Sequence, residues 1–425
     1  MEVGLDEPIT GDGGAGRALG CRPAADPRVE PLRILVTSFT FPPQANGVAE
    51  IARAQACGLA ARGHEVTVAT DADPRRTAEH AFGRLRVESF AVQGRFASGR
   101  GYEGEVARYQ DFIANGPFDI ILCNCWQNWA TDLAVPAFPR SGARKVIVTQ
   151  GLDAHLWHPH PRFAWGLPSW ARGLAYTTRL PGMMRAFDQV VFLSRRRDWG
   201  RFFDHWLAVR CGLDHVSIIP NGIDLGPLQQ VTLDFRATYG IRTPHLILNV
   251  ANYCDRKNQL ATLRAFLKAR RRDATMVFIG SEWNEYAANL RRVHEAHGQQ
   301  AGPVLFLERV PRAHIYAAYQ AADLFILNAK AETQPLVLLD AMASAVPFLS
   351  TDTGCVSEFA GGCLVRGEGD TARALGRLLD DPARRRELGE AGRAQAHARY
   401  SWEQVITECE RVFSRLLAAG GPARA

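Results

Sequence analysis

Two carboxylates stand eight positions apart in Glu332-Thr333-Gln334-Pro335-Leu336-Val337-Leu338-Leu339-Asp340. A carboxylate can accept hydrogen bonds from two donors at once. The plainer reading is a helix-start acid followed by a surface acid. A second candidate is Arg256-Lys257, within Asn252-Tyr253-Cys254-Asp255-Arg256-Lys257-Asn258. A guanidinium fork beside an ammonium suits phosphate oxygens, although a solvated loop pair has the same sequence. A third is Gly47, in Phe41-Pro42-Pro43-Gln44-Ala45-Asn46-Gly47-Val48. A small residue opening a helix lets backbone N–H groups approach an anion; a tight turn without a ligand would also use it. Thr353-Gly354-Cys355-Val356-Ser357-Glu358 offers a further helix start whose amides could face the same anion. The Gly47 loop is not the G-x-G-x-x-G fingerprint, which counts against a nicotinamide enzyme.

Other clusters carry less. Asp71-Ala72-Asp73 has the form of a metal motif but lies in a Pro- and Arg-rich loop, so it reads as loop chemistry. His155, His158 and His160 are interrupted by Pro159 and read as a polar, acceptor-facing loop in preference to a zinc site. Cys123 and Cys125 lack a second ligand pair and read as packing. No essential metal is expected. Trp126, Trp129, Trp157, Trp165 and Trp170 crowd one stretch, where they suit either sugar stacking or a core.

These residues need elements to position them. Strand candidates are Arg33–Ser38, Glu65–Thr70, Arg84–Phe90, Asp119–Cys123, Lys145–Thr149, Gln189–Leu193 and His215–Ile219 in the first half. The second half offers His245–Ala251, Thr275–Gly280, Val304–Leu307, Leu324–Asn328, Pro347–Ser350 and Gly362–Val365. Helical patterns such as Val48–Arg62 and Gln259–Arg271 alternate with them, which predicts parallel sheets covered on both faces. Ligands gather at the carboxyl ends of such strands, and two facing halves make the cleft between them the expected site. Pro335 suits a first helical turn, which puts Glu332 in the preceding loop and Asp340 in the second turn. The Pro220-Asn221-Gly222-Ile223-Asp224 turn marks the boundary between the halves.

With its order and spacing, this set resembles the group 1 glycosyltransferases, the retaining GT-B enzymes of family four. The Pro-Pro…Asn-Gly loop, the Arg62-Gly63-His64-Glu65-Val66 strand entry, the Pro220–Asp224 turn and the Glu332…Asp340 signature carry it. It covers about residues 32–418. It implies an α/β fold of two Rossmann-like domains whose parallel sheets face across a cleft. The expected divisions are a disordered lead-in at 1–30, an acceptor domain at 31–225 and a nucleotide-sugar domain at 226–398. A helix at 399–418 crosses back to the first domain, and 419–425 form a disordered tail.

By the same resemblance Glu332 contacts the donor sugar, Asp340 the nucleotide ribose, and Lys257 and Arg256 the diphosphate. Asn252 stands where the family has arginine. Asn46, Gly47, Thr333, Gln334, Gly354 and Glu358 complete the donor side. Gln150 occupies the position of a family histidine, and Asp153, His155 and Trp126 join it on the acceptor side. The implied activity is retaining transfer of a sugar from a nucleotide-diphosphate sugar to a hydroxyl of a glycan, lipid-linked or small-molecule acceptor, without cofactor. A sugar phosphorylase, a nucleotide-sugar hydrolase or a weakly catalytic binding subunit on the same fold are the alternatives.

Composition narrows the classes further. The 425 residues are 47% hydrophobic and 22% charged, the balance of a soluble protein large enough for two domains. A net charge of +6 favours anionic partners, yet no nucleic-acid motif accompanies it. Nine scattered cysteines point to a reducing cytosol. No apolar run is long enough to span a bilayer, so a cytoplasmic protein is expected, at most peripheral at the inner face of the membrane. Oligomeric state is not legible.

Overall fold

The computed structural model describes residues 30–44, 46–76, 85–95, 101–152, 169–197 and 202–419 of the chain. The first sheet uses β1 (Arg33–Thr37), β2 (Glu65–Asp71), β3 (Arg86–Phe90), β6 (Ile120–Asn124), β7 (Arg144–Val148), β8 (Gln189–Phe192) and β9 (Val216–Ile218). Its order is β3-β2-β1-β6-β7-β8-β9, with every pairing parallel. The second uses β10 (His245–Val250), β11 (Ala274–Gly280), β12 (Val304–Glu308), β13 (Leu324–Leu327), β14 (Phe348–Ser350) and β15 (Gly362–Leu364). It runs β12-β11-β10-β13-β14-β15, again all parallel. The doubly wound GT-B arrangement expected from the sequence is borne out.

Alternation along each strand explains why each sheet has two cores. Ile34 and Val36 face the helices Gly47–Ala61 and Trp402–Ala419, meeting Ala52, Ala56, Ile406 and Phe413. Leu35, between them, points the other way toward Tyr109, Trp126 and Trp129. In the second sheet Ile247 and Phe278 face Leu263 and Leu375, while Leu246 and Val277 face Tyr319 and Leu338. Strands buried on both faces need near-continuous apolar runs, which is what the sequence shows.

One element escaped the sequence reading. A two-stranded antiparallel hairpin, β4 (Val92–Arg95) with β5 (Gly101–Gly104), follows β3. Its strands are short and rich in glycine and polar residues, so they lack the apolar signal used to find the others.

The last helix, Trp402–Ala419, lies against Gly47–Ala61, and the approach is close. A Cβ on Gly58 would stand 2.7 Å from Ile406 Cγ1. Arg62 Nη2 donates to Thr407 Oγ1 at 2.9 Å, and His64 Nε2 lies 3.2 Å from Glu410 Oε1. The mid-chain turn meets the same helix: Ile223 N donates to Tyr400 O at 2.7 Å and Trp402 N to Ile223 O at 3.2 Å. No helix of the described residues is long and apolar enough to cross a membrane.

Candidate active site

Three loops at the carboxyl ends of β10, β13 and β14 converge on Glu332. Its carboxylate is buried at 5% exposure, with Lys257 Nζ 2.6 Å from Oε1 and Arg256 Nη1 3.8 Å from Oε2. Both cations come from the turn Asp255–Lys257, which Asn258 ends in the left-handed region at φ 52°. Asparagine tolerates that conformation better than most residues. Its Nδ2 donates to Asn328 O at 3.0 Å, and Lys330 N donates to Arg256 O at 2.9 Å, so the loops after β10 and β13 are stitched together.

The β14 loop closes the ring. Glu332 N donates to Thr353 Oγ1 at 2.8 Å, and Cys355 N to Thr333 O at 2.9 Å. Gly354 takes φ 58°, and a Cβ there would lie 2.1 Å from Thr333 O. Only glycine permits both that dihedral and that approach. Chemically, the result is one carboxylate held between two cations at a cleft wall. Lys257 is shielded, whereas Arg256 keeps 42% of its side chain exposed to meet an incoming anion. Asn252 is exposed, and its carbonyl accepts from Gln259 Nε2 at 2.9 Å.

Asp340 sits in the second turn of the helix Leu336–Ala343. Burial pushes its carboxyl up to about 7, with Arg312 opposing the shift and Glu50 and Asp224 adding to it. It has no hydrogen bond or ion pair to the side chains of the described residues. Arg312 donates from Nε to Tyr316 OH at 2.7 Å and reaches Glu50 Oε2 across the cleft at 3.3 Å.

Glu50 lies in the first turn of Gly47–Ala61, the helix that the third candidate opens. Gly47 has open space where a Cβ would be, so the amide end of this helix is accessible. Asn46 caps it: Oδ1 accepts from Ala49 N at 3.0 Å, and Nδ2 donates to Thr40 Oγ1 at 2.9 Å. The loop is held from below by Asp71, which accepts from Gln44 Nε2 at 2.5 Å and pairs with Arg76 at 3.1 Å. Arg76 also donates to the carbonyls of Pro42 at 2.9 Å and Phe41 at 3.2 Å. Asp71 is thus an anchor for the Gly47 loop.

Four expected contacts are placed elsewhere. Trp126 is 4% exposed, packs edge-on to Phe187 and donates Nε1 to Asp204 at 3.2 Å, so it belongs to the core and not to an acceptor surface. Gln150 spends its amide on Asn221, as does Gln334 from the donor side. Glu358 turns to the first domain, accepting from Ser194 Oγ and, at 3.1 Å, from Arg195 N. Asp153, His155 and the other two histidines of that loop lie outside the described residues. Sequence reasoning missed Arg312, Glu50 and Arg196. Arg196 donates to Gly354 O at 2.9 Å and pairs with Asp352 at 2.6 Å. Each is one of many surface charges, and only the folded cleft singles it out.

Comparison with known proteins decides the family. Residues 45–226 match the model of Glycosyltransferase Family 4, and residues 244–381 that of Glycosyl transferases group 1. The chain belongs to the group 1 glycosyltransferases. A Corynebacterium glutamicum relative, a GDP-mannose-dependent monoacylated alpha-(1-6)-phosphatidylinositol monomannoside mannosyltransferase, is 30% identical over 205 residues. That match covers 44% of this chain and 52% of the relative, about half its length. The GDP-mannose-dependent alpha-(1-6)-phosphatidylinositol monomannoside mannosyltransferase of Mycolicibacterium smegmatis is 27% identical over 65% of this chain and 72% of its own. Sucrose-phosphate synthase from Thermosynechococcus elongatus superposes with a TM-score of 0.70 at 19% identity, covering 92% of this group 1 chain and 100% of the synthase. That likeness is one of fold.

Proposed function

We propose that this group 1 glycosyltransferase moves a sugar from a nucleotide-diphosphate sugar to an acceptor hydroxyl, in the cleft between its two sheets. The observation that carries the reading is Glu332 held between Lys257 and Arg256 where three loops of the second sheet meet. As the C1–O bond to the diphosphate breaks, negative charge builds on the leaving oxygen. In this reading Lys257, Arg256 and the amides at Gly47 and Gly354 stabilise it without a metal. Glu332 orients the donor sugar by accepting from its hydroxyls, and Asp340 accepts from the ribose. The acceptor oxygen forms the new bond to C1, its proton passing to the departing phosphate, and the configuration is retained as the family implies.

The relatives' names make GDP-mannose the first donor to test and an inositol-containing lipid the first acceptor. The net charge of +6 favours an acceptor at an anionic membrane surface, met peripherally from the cytoplasm. The test is nucleotide release from GDP-, UDP- and ADP-sugars with acceptor present, for wild type and Glu332→Gln. One donor turned over by wild type, and lost in the variant, supports the assignment. Full activity in Glu332→Gln would remove Glu332 from the donor site.

A further inference from the structure

The side-chain amides of Gln150 and Gln334 both bond to Asn221, one to its side chain and the other to its backbone, and so link the acceptor side of the cleft to the loop that carries Glu332. Gln150 follows β7 and exchanges two hydrogen bonds with Asn221: Nε2 donates to Asn221 Oδ1 at 3.1 Å and Asn221 Nδ2 donates to Oε1 at 2.8 Å. Asn221 lies in the turn between the two sheets and is 2% exposed. Its backbone N–H donates to Gln334 Oε1 at 2.7 Å, and Gln334 Nε2 returns a long bond to Asn221 O at 3.4 Å. Gln334 is 7% exposed and sits two residues beyond Glu332.

We propose that Gln150, Asn221 and Gln334 form a positioning relay that fixes the Glu332 loop against the acceptor wall, a role that deepens the glycosyl-transfer reading and rests on it. An amide is self-complementary, one donor beside one acceptor, so a Gln–Asn pair closes on itself without charge. With both bonds made, the Gln150 amide is committed to Asn221 and is not a substrate contact. The pairing is also costly to break in part. Removing one partner strands a buried donor and acceptor, whereas shifting the loop to find new partners moves Glu332. The relay is therefore a hold on loop position, and its strength does not vary with pH or salt. Glu332 has a second restraint in Thr353, but that bond lies within its own domain. The amide relay carries the position of the first sheet into the donor loop.

The experiment uses the full chain and two readouts. Hydrogen exchange is followed at residues 330–336, with the buried interior strand β11 as an internal control, in wild type, Gln150→Ala, Gln334→Leu and the swapped pair Q150N/N221Q. The relay predicts faster exchange at 330–336 in Gln150→Ala, no change in β11, and recovery in the swap, which restores a Gln–Asn pair. General destabilisation would instead raise exchange in β11 as well. The second readout is nucleotide release from GDP-mannose and UDP-glucose alongside GDP and UDP binding. A misplaced carboxylate predicts a loss in kcat on the order of 10-fold or more in Gln150→Ala, with nucleoside diphosphate affinity kept within about two-fold. Unchanged exchange at 330–336 in both single variants overturns the relay, as does a wild-type kcat in Gln150→Ala. If wild type releases nucleotide from no nucleotide sugar, the glycosyl-transfer reading is what fails, and the exchange data still decide the relay.

Discussion

Asp340 gives a prediction in which stability and binding move in opposite directions. Its carboxyl, 3.8 when free, is pushed up to about 7, chiefly by burial. Arg312 opposes that shift, and Glu50 and Asp224 reinforce it, with Tyr316 and Tyr319 also facing the carboxylate. Between those two values the folded chain holds a proton that the unfolded chain has released, so this group's contribution to stability falls as pH rises from about 4 to about 7. Every tenfold change in proton affinity corresponds to about 1.36 kcal/mol, so the ionised form costs at most about 4 kcal/mol. Asp340 is only part-buried, and solvent screening reduces this to roughly 2 kcal/mol. Asp340→Asn keeps the shape and removes the charge. At pH 8 it is expected to raise the melting temperature by about 4–8 °C, with the gain vanishing near pH 4. The same variant is expected to weaken nucleoside diphosphate binding, because ribose hydroxyls donate to the ionised carboxylate. Wild-type binding should therefore strengthen as pH rises through about 7, and the variant should lose that slope. Thermal melts and titration calorimetry of both proteins at pH 4 to 8 test the pair. A variant less stable than wild type at pH 8, or one with an unchanged binding profile, would show that the Asp340 carboxylate carries neither effect.

Two further substitutions separate loop geometry from the core. Gly354→Ala forces a Cβ to within 2.1 Å of Thr333 O at φ 58°. It should cost on the order of 1–3 kcal/mol of stability and lower kcat more than nucleotide affinity, measured by denaturant unfolding and steady-state kinetics. Trp126→Phe removes the Nε1 donor from buried Asp204, whose carboxyl burial already pushes up to about 6. The expected loss is about 1–3 kcal/mol with donor and acceptor KM unchanged; a raised acceptor KM at unaltered stability would return Trp126 to the acceptor surface.

The sheets were legible because strands buried on both faces carry runs such as Ile34-Leu35-Val36 and Met276-Val277-Phe278-Ile279, and loops at their carboxyl ends follow from topology. The hairpin β4–β5 was not, since glycines and polar residues make its pairing without an apolar stripe. In the donor loops, residue type together with the family resemblance brought Lys257 and Glu332 forward as candidates. It gave no sign that they form an ion pair at 2.6 Å. The cross-cleft contacts join residues far apart in sequence through neutral amides or ordinary surface charges, as in Gln150 with Asn221 or Arg312 with Glu50. Neither residue type nor local spacing marks them. Gln150, Trp126 and Glu358 show the other side of this: a polar or aromatic residue near a cleft can be wholly engaged by the protein itself.

The central claim is that a nucleotide diphosphate binds between Lys257 and the loops around Glu332. Calorimetric titration of wild type and Lys257→Ala with GDP, UDP and ADP tests it most directly. One nucleotide is expected to bind wild type, and removing the ammonium to weaken it by at least about 10-fold, the loss of one charge-assisted bond of roughly 1.5–3 kcal/mol. Equal affinity in the two proteins, or no nucleotide bound by wild type, would contradict it.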